Sequence, residues 1–303
     1  MEKKNSYIFS FSIFIFKIFL FLIIFGYSFN YFFENQIIFK SEISGASKVN
    51  KILKVNNSSE IPIFGSSRAQ GNIVPSILGN NYFNYGIDGT QSNIWLYFLE
   101  HELKKEKNTP IIINFDLKGL IYSDGDLGNF IPNWRESKQY LNDKGEFYYT
   151  IPFIKYFGRF EKYFKYFINN KVNLTKITDK GGSFEKFQVT KEIFNKDIEK
   201  RMNTETKFKI EPELNRQFNN LIKSTNRKII LIVTPYHESC FNKFDNINMA
   251  TNYLNKIDSL YNNVEVIDFK NGIKEDNLFK NTTHLNYNGA VKITQKLKNH
   301  FKN

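Results

Sequence analysis

The pattern of apolar and polar positions opens with an almost unbroken apolar run, YIFSFSIFIFKIFLFLIIFGYSF, at residues 7–29. About 20 such residues in a helix span a hydrocarbon core, so the run predicts a transmembrane helix. Lys17 interrupts it. A lysine at mid-bilayer costs roughly 2.5–3.5 kcal/mol on insertion scales. The cost falls if the span shifts to about residues 18–33 and Lys17 snorkels toward the surface. Small residues that would form a cleavage site do not follow the run, which predicts an uncleaved anchor. Lys3 and Lys4 precede the span, whereas Glu34, Lys40 and Glu42 follow it. That asymmetry predicts a cytoplasmic N-terminus and an extracytoplasmic main domain.

Polar sequence follows, with SEISGASKVN and then NNSSE. It reads as a stalk over residues 35–59. Beyond it, short apolar runs alternate with amphipathic ones. Strands are predicted at 60–64, 82–87, 110–116, 228–234 and 264–268, and helices at 92–107, 246–261 and 287–301. Strands alternating with helices predict a three-layer α/β/α sandwich around a mostly parallel sheet. The chain then divides into a cytoplasmic tip and anchor at 1–34, the stalk at 35–59, and an α/β domain at 60–303.

Residues 118–210 break the alternation and read as an insert. It begins with the turn-rich GLIYSDGDLGNFIPN and contains YTIPFIKYFGRFEKYFKYFINN. There Phe153, Tyr156, Phe157, Phe160, Phe164 and Phe167 fit one helical face, and Lys155, Arg159, Lys162 and Lys165 lie off it. Such a helix can pack on the main domain, lie on a membrane, or form a substrate platform.

Composition narrows the chemistry. The 303 residues are 41% hydrophobic and carry a net charge of +12, with lysines scattered rather than blocked. Given the membrane topology, this argues against a nucleic-acid partner. Cys240 is the only cysteine, so no internal disulfide forms. No His/Cys/Asp cluster has metal-ligand spacing, and Gly65 is not followed by the lysine of a phosphate loop. No metal or cofactor is expected.

One strand end holds candidate chemistry. FGSSRAQ, residues 64–70, places two serines and an arginine directly after the apolar IPIF. In an open parallel sheet, ligands sit at the carboxyl ends of the strands. Gly-Ser-Ser is also an ordinary turn and helix-cap sequence. A serine nucleophile needs a base. Of the four histidines, His101 lies in a charged helix and His300 near the C-terminus. His237 follows the strand ending Thr-Pro-Tyr, and His284 lies in NTTHLNYNGA before the last helix.

Three stretches together, Gly65-Ser66-Ser67-Arg68, NYGIDG at 84–89 and THLNYNGA at 283–290, resemble blocks I, II and V of the SGNH (GDSL-type) hydrolase superfamily. Within it they resemble membrane-anchored members, the SGNH proteins of alginate O-acetylation and teichoic-acid D-alanylation. The resemblance covers about residues 60–116 and 228–301 and leaves the insert unexplained. It implies Ser67 as nucleophile, His284 as base, and the backbone N–H groups of Ser67 and Gly89 as oxyanion donors. It departs from the pattern twice. The family's acid, three residues before the histidine, is here Asn281, which can orient the imidazole but lacks charge. The block III asparagine is replaced by Asn114-Phe115-Asp116, so Asn114 or Asp116 is the candidate there. Arg68 and His237 are further candidates for substrate binding.

The implied function is an O-acyltransferase or carbohydrate esterase acting on cell-surface polysaccharide or another envelope polymer, with an integral membrane acyltransferase as a possible partner. The alternative is a catalytically weakened subunit that binds glycan or scaffolds such an acyltransferase.

Overall fold

Along the strand Ile111–Asn114, successive side chains go to opposite helix layers, as the two-residue period of a strand requires. Ile111 and Ile113 join the large core beneath the helices Ser92–Leu103, Pro212–Lys223 and Ile247–Leu260. Ile112 joins Ile63, Ile230, Ile232 and Ile267 against Leu297 of the helix Tyr287–His300. The same division holds across five strands: β1 (Ile61–Phe64), β2 (Tyr82–Asn84), β3 (Ile111–Asn114), β4 (Ile229–Val233) and β5 (Val264–Asp268). They form one parallel sheet in the order β2-β1-β3-β4-β5. The result is the three-layer α/β/α sandwich expected from the sequence. The computed structural model describes residues 2–122, 127–138, 147–171, 176–188, 190–202 and 207–302. Residues 123–126, part of the turn-rich start of the insert, lie outside them.

The strand order reverses between β1 and β3, since the chain moves from β1 out to β2 and then back across to β3. At such a switch point the connections leave to opposite sides and open a crevice at the carboxyl ends. Both Gly65-Ser66-Ser67 and Asp116 lie there.

The N-terminal helix α1 runs Glu2–Phe33 and continues as a π-helical turn, Glu34–Ile38. Residues Phe11–Ile38 are long and apolar enough to cross a membrane, and only 6% of the most apolar window is buried by protein. Among the described residues it is the one helix of this kind, which supports a single-pass membrane topology.

Of residues 35–59, expected to be a polar stalk, residues 37–53 are instead part of the folded body, and 54–59 are exposed. The helix α2 (Gly45–Lys54) buries Ala46, Val49 and Ile52, and Ile37, Ile38 and Ile43 are buried before it. Its Lys48 is fully buried and donates to the carbonyls of Gly86 (2.5 Å) and Gly181 (2.7 Å).

The insert is several small pieces. Gly119–Leu120 pairs with Lys209–Ile210 at its root. A hairpin, Lys176–Asp179 with Gly182–Glu185, caps the outer edge of β2, where Asn84 N donates to Lys180 O. A helix at Lys191–Met202 presses Phe194 against His237. The aromatic stretch is not one helix. A turn through Ile154–Tyr156 precedes the helix Phe160–Lys171. Tyr156 is buried while Phe157 is 86% exposed, so the expected single face is split. This part packs on α1 rather than on the sheet domain, with Phe33 in contact with Tyr156, Phe160 and Tyr163.

Candidate active site

Gly65 makes the turn at the end of β1. It adopts φ +143, and a Cβ there would lie 2.9 Å from the carbonyl of Asn114 and 2.8 Å from the Cβ of Ala69. Only glycine lets β1 run so directly into the short helix Ser67–Asn72. Ser66 caps that helix: its Oγ accepts from Arg68 N at 3.2 Å and donates to Asp116 Oδ2 at 2.5 Å. It is buried and engaged on both sides.

Ser67 points the other way, its Oγ 2.8 Å from His284 Nε2. Two acceptors, Asn281 Oδ1 at 3.1 Å and Thr283 Oγ1 at 2.9 Å, face the other ring nitrogen, Nδ1. The neutral tautomer with its proton on Nδ1 is therefore satisfied, and the Nε2 lone pair is left for the serine hydroxyl. Asn281 is itself fixed, because its Oδ1 also accepts from the backbone N–H of Thr283 (3.1 Å) and His284 (3.0 Å). The neighbouring Thr282 is tied by its hydroxyl (2.5 Å) and N–H (3.0 Å) to Asp197 of the insert. The fold thus brings Ser67 into one chain of contacts with His284 and Asn281, which lie more than 200 residues further along the chain.

A cleft of about 170 Å³ lies beside this pair, lined by residues that include Ser67, Asp88, Gly89, Lys118, Tyr236 and His284. Among the described residues, neither the Ser67 nor the Gly89 N–H has a protein partner. Both residues border the cleft.

The remaining candidates separate. Asp116 borders the cleft, but its carboxylate receives Ser66 and the hydroxyl of Tyr236 (3.2 Å). Its Oδ1 also lies 2.8 Å from Arg68 Nε, close enough for an ion pair but not aligned as a hydrogen bond. Asn114 is fully buried beneath Gly65, and neither of its amide atoms has a hydrogen bond. It does not reach the cleft. His237 is also outside the cleft lining. It holds Ser239 and Asp276 and is packed between Phe194 and Phe279.

Arg68 is buried and turned inward. It donates to the carbonyls of Thr283, Thr234 (2.6 Å) and Pro235 (3.1 Å) and to Thr234 Oγ1 (2.9 Å), and it stacks 3.4 Å above the ring of Tyr236. Arg68 also borders the cleft, and these contacts make it a clamp between the serine turn, the end of β4 and the histidine loop. Burial raises the Tyr236 phenol well above its ordinary pKa, so it stays a neutral donor to Asp116. Asn72 adds a second tie. Its Nδ2 donates to Thr234 Oγ1 (2.9 Å) and its Oδ1 accepts from Leu285 N (3.1 Å). Sequence reading missed Asn72, Tyr236 and Lys118. Tyr236 and Lys118 lie just past the carboxyl ends of β4 and β3, and that position was the available signal.

No family model and no curated protein matches this chain. Two solved structures resemble it at 13% identity. One, from Streptococcus pneumonia and provisionally described as a platelet activating factor, covers 88% of this chain and 95% of its own, with a TM-score of 0.42. The other, from Bacteroides fragilis and provisionally described as an acylhydrolase, covers 86% and 95%, with a TM-score of 0.39. At that distance nothing about chemistry passes from either to this chain.

Proposed function

We propose that this chain is a membrane-anchored, extracytoplasmic SGNH-like O-acyltransferase or esterase, acting on O-acyl groups of a cell-surface polysaccharide or another envelope polymer. The observation that carries the reading is the Ser67 Oγ–His284 Nε2 contact of 2.8 Å beside a cleft with two free amides. His284 takes the Ser67 proton as Oγ attacks an ester carbonyl. The N–H groups of Ser67 and Gly89 receive the oxyanion. The protonated imidazole then gives its proton to the departing alkoxide, leaving an acyl-serine. A sugar hydroxyl, or water, loses its proton to His284 and attacks that acyl group. This forms the new ester or free acid and restores Ser67. Every step uses side chains and amides of this chain. The extracytoplasmic location rests on Lys3 and Lys4 at the N-terminal end of α1, and an integral membrane acyltransferase is a fitting acyl donor.

Asn281 supports a second reading. It orients His284 but supplies no charge to the imidazolium, and the same Asp-to-Asn exchange in a serine protease costs about 10⁴ in turnover. The chain would then serve as a weakened, glycan-binding or scaffolding subunit.

The test is labelling of the full-length protein in lipid nanodiscs by a fluorophosphonate probe. The first reading expects labelling of the parent and of Ser66→Ala, and none of Ser67→Ala or His284→Ala. No labelling of the parent, with gain in Asn281→Asp, favours the second. Labelling that persists in Ser67→Ala overturns the site.

A further inference from the structure

Phe153 stands out because it is a bulky residue at φ +63, a conformation that costs energy without glycine. The turn it makes drives its ring against the membrane-spanning helix. The ring centroid lies 5.7 Å from that of Phe25 and 4.9 Å from that of Phe29. Gly26 provides the notch. A Cβ there would lie 3.1 Å from the Phe153 ring and 3.6 Å from Pro152. The strained turn is thus held by close packing on α1.

The depth of this contact follows from helix geometry. Glu34 is the first charged residue after the apolar run, and it pairs with Lys155 at 2.6 Å. Phe25 lies nine residues earlier, about 13 Å down the helix axis. If the hydrocarbon core covers the 20 residues ending just before Glu34, Phe153 sits well inside it. If the core instead begins right after the N-terminal polar residues, its outer edge falls between Phe25 and Phe29. Both placements put the turn at membrane depth.

What the turn exposes fits that depth. Phe157 is 86% and Ile154 49% exposed, and on the adjoining stretch of helix Tyr27, Tyr31 and Phe32 are 61%, 72% and 58% exposed. Single apolar residues are ordinary on a soluble surface, but several large exposed ones on a helix and on the turn packed against it are not. Tyrosines gather at the membrane interface, and the basic Lys155 and Arg159 flank Phe157 in sequence.

We propose that residues 151–159 form a second membrane contact, with Ile154 and Phe157 entering the lipid leaflet on the domain's side beside α1. Acyl chains of that leaflet are the occupant, because the turn that exposes Ile154 and Phe157 is packed directly on the membrane-spanning helix and lies at its depth. The domain is then seated on the bilayer rather than hung from a tether. The seat is connected to the candidate site: Ile43, just past the helix, accepts from Gln70 of the serine helix at 3.2 Å, and Lys48 holds Gly86.

The test uses the full-length chain in nanodiscs, with Cys240 replaced by serine. Phe157→Cys, and separately Ile154→Cys, carries an NBD label, and Met249→Cys, exposed on the sheet domain, is the control. Lipids with nitroxides on the acyl chain, and aqueous iodide, are the two quenchers. The proposal expects positions 154 and 157 to lose most of their fluorescence to the lipid nitroxides and little to iodide, with Met249 showing the reverse. Iodide quenching at 157 equal to that at 249 overturns it. So does shielding from both quenchers, which would mark a protein partner on this face.

Discussion

Arg68, buried, and Asp116, largely buried at the cleft edge, form an ion pair, Nε to Oδ1 2.8 Å, and each also holds a different part of the candidate site. Asp116 takes the hydroxyl of Ser66, and Arg68 takes the carbonyl of Thr283, the residue before His284. Removing one partner of a buried pair leaves the other charge uncompensated, at about 3–5 kcal/mol. Arg68→Ala is therefore expected to lower stability by about that amount and to abolish fluorophosphonate labelling. Arg68→Lys keeps the charge but not the fork that reaches several acceptors at once, and should recover only part of both. Denaturant melts and labelling rates in nanodiscs check this. Full labelling of a folded Arg68→Ala protein would show that the clamp does not position His284.

Asn281 faces the imidazole Nδ1 with an uncharged amide oxygen. Asn281→Asp keeps the shape and adds a carboxylate 3 Å from Nδ1, which stabilises the imidazolium formed as Ser67 loses its proton. The labelling rate is expected to rise on the order of 10- to 10³-fold, within the roughly 10⁴-fold effect known for such an exchange. Equal rates in parent and variant would mean that His284 carries no positive charge in the rate-limiting step.

How much of this was legible in the sequence depends on the range of the interaction. β4 and β5 were found to within a residue because their apolar runs are continuous and bounded by polar residues. Ser67 and His284 were legible because each follows a strand-end or helix-start pattern. The stalk was misread although Ala46, Val49 and Ile52 recur every three residues, because serines, lysines and asparagines fill the positions between them. The partners of Lys48, Arg68 and Asn72 lie up to 133, 215 and 213 residues away, respectively. No local pattern marks which polar residues a fold will bury, so these ties emerge only in three dimensions. Ser67 and His284, which local patterns single out, stand 2.8 Å apart, whereas no local pattern marks the ties around them.

Lys48 predicts a dependence on pH. Burial lowers its pKa from the ordinary 10.5 to about 7, with Glu42 opposing the shift. The neutral amine has two N–H donors and faces two carbonyls, Gly86 and Gly181, so its donors are matched. Between about pH 7 and 10.5 the unfolded chain still binds the proton that the folded chain has released. Stability contributed by this group therefore rises with pH across that window, and below it both states are protonated and the slope vanishes. Lys48→Met should be less stable because two buried carbonyls lose their donor, at about 1–3 kcal/mol each. It should also lose the rise. Unfolding free energies of parent and variant at pH 7 and 9 test this. Parallel changes in the two would assign the slope to other groups.

Glu102 separates stability from chemistry. It is fully buried at the opposite, amino end of the sheet, with Lys107 at 2.8 Å, Arg227 at 3.0 Å and Lys105 at 3.1 Å. Burial alone would raise its pKa, but the three cations outweigh burial and hold it below the ordinary value of 4.5. With a depressed folded pKa, its contribution is full above that ordinary value and is lost as the pH falls through the lower one. Glu102→Ala removes the carboxylate that the three cations share, and a loss of about 3–5 kcal/mol is expected at neutral pH. None of these groups borders the cleft. The folded fraction of Glu102→Ala should therefore label at the parent rate, unlike Arg68→Ala at similar cost in stability. If the two variants lose labelling in step with their stability, the Arg68 effect is one of folding alone. If they diverge, the ion pair at the switch point acts on the site itself.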